Sequence, residues 1–446
     1  MRSSIAPLLL IVIAACSSEV PSAVDAGTAG AADASGAPDA YTGPITYYRH
    51  VKPILDAKCL QCHIDSGIAP FGLGSADEAV QFAGMVKDAV VSREMPPWLA
   101  VKDCDDYIGD RSLSDEQIAT LAAWADGGRA VGDPTDVGTP LPHDQPRLTR
   151  VDREFGMPIE YTPTQEPDDY RCFLIPWEET ETRYVTGFRA VPGNPQVVHH
   201  VIAFLATPDQ DLAEYEALDA AEEGPGYTCF GGTGGSARQW IGSWAPGSMG
   251  TDMPPGIGIE VPVGSLVILQ VHYNTLVAGA MPDRTVVQVK LDDTVDKVAT
   301  VQPWTNPQWV FNADMPIAAG DADATHSWDF DPTGFLSGGQ PMRLYGAGLH
   351  MHQLGQRASF RIDRADGTSD CLLAIDDWDF HWQGSYGFRE SKVLAPGDSL
   401  HMECHWDNSQ ANQPWVDGVQ LPPRDVNWGE GSGDEMCLAG FIWTRE

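Results

Sequence analysis

The chain has 446 residues, 27 of them basic and 63 acidic, for a net charge of −36. That length suffices for about three domains, each able to bury its own core, and a charge of that sign excludes nucleic acid or any other polyanion as partner. Nine cysteines are many for a protein of this size and point to an oxidising compartment.

The chain opens on Met1-Arg2 and an apolar run from Ile5 to Ala15, too short to span a bilayer, and this reads as an export signal. Ile13-Ala14-Ala15-Cys16 resembles the lipobox of bacterial lipoproteins. The resemblance implies that residues 1–16 are a leader ending at a lipidated Cys16. It also places the protein at the cell envelope, on the outer membrane or the periplasmic face, with the lipid as its membrane contact. Residues 17–43 hold mainly Ala, Gly, Ser, Asp and Pro and are expected to form a disordered tether.

Residues 44–135 are expected to form a small all-α unit. YYRHVKPILDAK reads as an amphipathic helix, a second helix is predicted over Ala76–Val91, and Ser114-Asp-Glu-Gln117 is a capping box that opens a third. Between the first two, Cys59-Leu60-Gln61-Cys62-His63 is the C-x-x-C-H attachment motif of c-type haem, in which two thioethers fix the macrocycle and the adjacent histidine lies under the iron. The whole arrangement resembles a small class I cytochrome c. That resemblance implies one covalent haem c, with Met95 of the Met95-Pro96-Pro97-Trp98 segment as the sixth iron ligand. Six-coordinate iron favours electron transfer over oxygen chemistry. Met85, inside the second helix, is expected to pack in the core.

Residues 136–164 are rich in Pro, Gly and Asp and read as a linker, with the lone His143 on a solvated loop. From Arg171 onward short apolar runs broken by Gly and Pro give the signature of all-β sandwiches. Two domains are expected, over 165–300 and 301–446. The first carries Val198-His199-His200-Val201, whose neighbouring imidazoles can share a metal only if the strand bulges or twists, and His272 in LQVHYNT. The second carries His350-Met351-His352, two histidines on one face of a strand, and Met436 in GDEMCLAG. Met402 fits a core role, and His401 and His405 share a face with a structural role expected. The aromatic cluster around Trp378 and Trp382 suits a cleft lining or the core equally. With Cys16, Cys59 and Cys62 set aside, six cysteines remain, compatible with three bridges whose pairing stays open. Cys172 and Cys229 fall in the same half and are expected to pair.

In this order the HH, VHY, HxH and Met-Cys motifs resemble the copper type II, ascorbate-dependent monooxygenases, the family of peptidylglycine α-hydroxylating monooxygenase and dopamine β-hydroxylase, over about residues 165–446. The resemblance implies antiparallel jelly-roll-like sandwiches and two copper ions. One copper, for electron transfer, would sit on His199, His200 and His272; the catalytic one would sit on His350, His352 and Met436. It also implies a Cys404–Cys437 bridge. In the family, the cysteine matching Cys172 pairs with one after the VHY strand, which this chain lacks. The implied activity is C–H hydroxylation with molecular oxygen. An external donor, ascorbate-like or a redox protein, would supply electrons, and the attached haem would feed the three-histidine copper first. Peptide-specific members hold a substrate carboxylate with Arg, Asn and Tyr where this chain has Gly348, Leu438 and Gly440, so a small, neutral substrate is expected. The competing reading is a non-catalytic redox or copper-handling surface lipoprotein.

Overall fold

Alternation of apolar and polar residues sets most of the architecture, as the strand Ser399–Trp406 illustrates: Leu400, Met402, Cys404 and Trp406 are fully buried, while His401, Glu403 and His405 point outward. A computed structural model describes residues 44–64, 69–142, 146–246, 248–275, 278–416 and 418–446. The leader, the tether, Cys16 and His143 lie outside the described residues. Among the described residues no helix is long and apolar enough to cross a membrane.

Pro44–Glu446 forms one unit. Its β part is two sandwiches that share a sheet. A nine-stranded sheet runs in the order Ser385–Leu394, Met342–His350, Leu438–Arg445, Thr300–Trp304, Gln239–Trp244, Val198–Ala206, Leu266–Asn274, Asp168–Pro176, Tyr227–Thr228. One half is covered by a six-stranded sheet built on Arg183–Val191 and Val286–Asp292, the other by a four-stranded sheet of Ala324–Phe330, Ser399–Trp406, Gly355–Asp363 and Ser369–Ile375. Leu266–Asn274 is buried along seven consecutive residues, because both of its faces are covered, and it reads as an unbroken apolar run for the same reason. The two sheets of the first sandwich approach closely at Gly242, where a Cβ would lie 2.2 Å from the Phe188 ring. The first sandwich begins before residue 165, with Arg153–Gly156 on the edge of the six-stranded sheet. Four residues with only Phe155 buried give no alternation to read.

The N-terminal unit holds three α-helices, Lys52–Lys58, Ala76–Val91 and Asp115–Asp126, the first preceded by a π-turn at Tyr47–Val51. Both longer helices carry reciprocal capping boxes, at Ser75/Glu78 and Ser114/Gln117. Leu55, Leu73, Leu121 and Trp124 form its core. Met85 does not join that core: it is 60% exposed. Ala79, Ala83 and Val90 face inward, and Met85 lies two residues beyond Ala83, roughly 200° around the helix.

Among the described residues three disulfides are present, Cys104–Cys371, Cys172–Cys229 and Cys404–Cys437. The first joins the N-terminal unit to the second sandwich. Ala100 and Tyr107 extend that joint by bridging to Ile375 and Phe388, on edge strands of the four- and nine-stranded sheets. The segment therefore covers two edges that would otherwise expose unpaired backbone. Replacing Cys104 and Cys371 together by serine should lower stability by about 3–5 kcal/mol, the range for closing a long loop. Calorimetry should show a fall in Tm with an unchanged far-ultraviolet spectrum at room temperature; an unchanged Tm would mean that edge pairing alone holds the joint.

Candidate metal centre

The pairing of Val198–Ala206 with Leu266–Asn274 slips between Val198 and His200, so Val198 opposes Tyr273 and His200 opposes His272. The bulge leaves His199 as the extra residue and lets two neighbours in sequence turn toward one point. One ligand atom from each of His199, His200 and His272 lies within 4.8 Å of the others. His200 Nδ1 and His272 Nδ1 are 3.3 Å apart. Both ring nitrogens of His199 are buried without a protein partner, which costs free energy unless something else binds them. Burial keeps His199 and His200 well below the usual imidazole range, reinforced by the neighbouring His272. Burial lowers His272 as well, against the hydrogen bond and charge of Asp168, and each downward shift favours the neutral imidazole that a metal requires.

The orientation of His272 has an identifiable cause. Asp168 Oδ1 accepts from His272 Nε2 at 2.9 Å, which frees Nδ1 for the cluster. Burial raises the Asp168 carboxyl, but hydrogen bonds from His272 and Ser432 outweigh it and hold the group at about 2. Tyr170 stacks on His272 at 4.0 Å and donates to the Glu430 carbonyl.

The second cluster lies at the end of the strand Met342–His350, with His352 two residues beyond it and not on the strand as expected. His350 Nδ1 meets Gln383 Oε1, and His352 Nδ1 donates to the Asp434 carbonyl at 3.1 Å. Both contacts leave Nε2 open. The rings are 5.0 Å apart at 87°. Burial lowers His350 to about 4 and His352 to about 3. Met436 is buried in the same loop: the Glu435 carboxyl before it accepts from His352 N, Leu354 N and Trp406 Nε1, and Leu438 after it pairs with His350. Burial raises Glu435 to about 7 against those three bonds. Trp378 donates to the His352 carbonyl, which gives it a positioning role. Phe380 stacks on His199 at 4.4 Å and lies 6.1 Å from His352, so one phenyl ring is near a histidine of each cluster.

Met402 is in the core, and His401 and His405 flank Glu403 on the outer face of their strand. In the N-terminal unit, Cys59 and Cys62 are free thiols and His63 Nδ1 sits 3.0 Å from the Phe71 carbonyl, leaving Nε2 open. Burial pushes the Cys59 thiol up to about 12. Two unpaired sulfurs beside an imidazole with its second nitrogen held by backbone fit covalent haem. Met95 is half-buried on the turn after Ala76–Val91. Sequence reasoning did not find Asp168, Gln383, Glu435 or Ser432. Each acts through a histidine distant in the chain, and no local spacing marks it.

Two buried imidazole clusters, in which His272, His350 and His352 are each held by an outer hydrogen bond while His199 has no protein partner, are donor sets of the kind that metal-binding proteins present. The N-terminal domain of the copper type II ascorbate-dependent monooxygenases matches residues 154–278, and their C-terminal domain matches 336–443. Together these cover just over half of the chain, which belongs to that family. It is similar to DBH-like monooxygenase protein 1 of Gallus gallus, 24% identical over 211 residues, covering 45% of this chain and 32% of that protein. The Homo sapiens protein of the same name is 21% identical over 266 residues, covering 56% and 40%. The chain thus spans well under half the length of these relatives. Among solved structures, a secreted protein from Parabacteroides distasonis is 8% identical, covering 66% of this chain and 88% of its own, with a TM-score of 0.15.

Replacing Asp168 by Asn removes the charged partner of His272 and should weaken copper binding at the three-histidine cluster about 10- to 100-fold. Competition titration with a chelator, with the two centres resolved by paramagnetic resonance, should show the second centre unaffected. The metal-free protein should lose stability as pH falls from about 6.5, where unfolded imidazoles protonate, toward about 4, the folded value of His350. The sign follows because only the unfolded state takes up the proton in that window. A His350→Gln/His352→Gln variant should show a shallower fall of Tm over the same range; an identical slope would contradict buried neutral imidazoles.

Proposed function

We propose that this chain hydroxylates a C–H bond of a small, neutral organic molecule with dioxygen. One oxygen atom enters the substrate and the other leaves as water, which takes two electrons and two protons from outside. His199, His200 and His272 hold one copper; His350, His352 and Met436 hold the other. The observation that carries this reading is the pair of buried imidazole clusters, both of which Phe380 approaches. Copper bound there would supply one electron from each ion to dioxygen, and the Met436 thioether favours the cuprous state.

The residues around the clusters hold the ligands and shape the substrate space. Gln383 and Asp434 fix the imidazoles of His350 and His352, and Asp168 fixes that of His272. Gly348 and Gly440 oppose each other across two paired strands, on the face that carries His350. A Cβ at Gly440 would meet nothing within 4 Å. Bare backbone on both strands, with Leu438 beside it, offers room for an apolar group, and the polar side chain nearest a Cβ at Gly348 is the neutral Ser385 hydroxyl at 3.6 Å, a poor match for a carboxylate whose burial would cost several kcal/mol.

Cys59, Cys62 and His63 would carry a covalent haem c with Met95 as the sixth ligand, adding a one-electron carrier to the same chain. An external donor, ascorbate-like or a redox protein, reduces it. Cys16 would anchor the chain to the cell envelope through lipid.

The copper-loaded protein should bind two coppers and consume oxygen in step with a hydroxylated product. Met436→Ile should abolish product formation and weaken cuprous binding at the His350/His352 centre while the other copper stays. Full activity in that variant would remove the ligand assignment. Copper binding and haem reduction with no product from a broad panel of neutral substrates would leave a copper-handling redox lipoprotein as the better reading. Turnover of a glycine-extended peptide as fast as the best neutral substrate would refute the pocket.

A further inference from the structure

The N-terminal unit is joined to the second sandwich by more than its disulfide. Val101 N donates to the Ala374 carbonyl, Ile108 N to the Gly387 carbonyl and Arg389 N to the Asp106 carbonyl, at 2.8, 2.8 and 2.9 Å. Tyr107 Oη donates to the Leu372 carbonyl at 2.9 Å. Arg389 pairs with Asp106, and Lys392 with Asp105. Every one of these bonds runs to residues 371–392, the stretch that leads through Gln383 toward His350. They fix two surfaces in one geometry, so whatever lies in the seam stays at constant distance.

Aromatic rings fill the seam. Trp98, four residues before Lys102 on the segment that follows Met95, meets Tyr386 edge-on at 5.0 Å, and Tyr107 lies 5.4 Å from Tyr386. On the other side of Trp98, the Arg111 guanidinium sits 5.6 Å from the indole centroid and Arg111 Nη2 donates to the Pro97 carbonyl. Lys58 Nζ, on the residue before Cys59, donates to the carbonyl of Asp110, the residue before Arg111, at 2.6 Å, which ties this side of Trp98 to the CxxCH motif. Beyond Tyr386 the path is covalent for three residues, to Gln383, whose amide oxygen touches His350 Nδ1.

We propose that electrons enter the copper domains through the second sandwich: Trp98 and Tyr386 form the relay from the CxxCH motif to Gln383 and His350. The sequence alone suggested the opposite order, with the three-histidine copper reduced first. The proposal rests on reading Cys59, Cys62 and His63 as a haem attachment site. Each transfer moves one electron. Ferrous haem iron becomes ferric, cupric ion at His350, His352 and Met436 becomes cuprous, and no proton has to move. The external one-electron donor then returns the iron to the ferrous state. Tunnelling decays far more slowly through bonds and touching rings than across a gap, and the rings at 5.0 Å and the hydrogen-bonded Gln383 keep the gaps short.

The experiment uses the full chain matured with haem and loaded with copper. The haem is reduced by a laser flash through a flavin photodonor, and its reoxidation is followed in its visible absorption band. The expected decay is first-order, independent of protein concentration and absent from copper-free protein. Trp98→Leu and Tyr386→Leu should each slow it by roughly an order of magnitude, about 1.4 kcal/mol in barrier, with haem and copper contents unchanged. Tyr386→Phe keeps the ring and should restore most of the rate. The destination is tested separately: the fast phase should survive His272→Ala, which disables the three-histidine centre, and vanish in Met436→Ile. Survival in Met436→Ile with loss in His272→Ala would overturn the point of arrival. Unchanged rates in both leucine variants would overturn the relay. Protein that acquires no covalent haem, although Cys59 and Cys62 are intact, would refute the haem reading itself, an outcome recognisable before any flash.

Discussion

Everything at the two centres depends on the strand Thr300–Trp304. It pairs along its length with Leu438–Arg445 and meets Gln239–Trp244 where Val301 opposes Trp240. That contact makes one sheet out of two halves. His199, His200 and His272 stand on strands to one side of it and His350 on the other, so their separation is set by backbone hydrogen bonds and not by how two domains happen to lean. Side chains packed on that sheet do the rest: Val301, Tyr345 and Ile442, all on strands of the second sandwich, lie against the core of the first. Phe380 can touch His199 and approach His352 because the sheet has already brought both within reach.

The imidazoles are also what makes this region expensive without metal. Buried neutral nitrogens in His199 have given up water and gained no protein partner, and protonation would place positive charges among five histidines that already depress one another. A cation bound by neutral rings relieves both problems: it takes the lone pairs, and its charge is offset by Asp168 at one centre. The same logic explains the division of labour among outer partners. Asp168 brings a full charge to His272, whereas His350 and His352 meet only a neutral amide and a backbone carbonyl.

Periodicity made much of this legible. The helix Ala76–Val91 has the bounds that its pattern predicts, because helical spacing and capping are local. The need for a bulge at His199-His200 was also readable, since two neighbours on a regular strand cannot face one point. What local pattern could not reveal was the single sheet through both halves, because a contact as short as Val301 opposite Trp240 leaves no mark on composition. Met85 misled for a related reason: an apolar residue in an amphipathic helix is assigned to the core unless the phase is known, and Ala79, Ala83 and Val90 set that phase. The joint made by Cys104–Cys371 was equally hidden, since those cysteines are 267 residues apart.

One loop connects the two centres in a way that bears on how they would act together. Residues 427–436 carry Met436 and Glu435 at the second centre, yet Ser432 donates from both its hydroxyl and its amide to Asp168, the residue that orients His272. Tyr170, stacked on His272, is tied to Glu430 of the same loop. The loop is thus fastened at one end to His352 through Glu435 and at the other to His272 through Asp168. A displacement of Met436 large enough to change its ligation has to stretch the Ser432–Asp168 bonds or carry them along. The Cys404–Cys437 bridge holds the foot of the loop to the four-stranded sheet, so the same hydrogen-bonded loop braces the surroundings of both clusters.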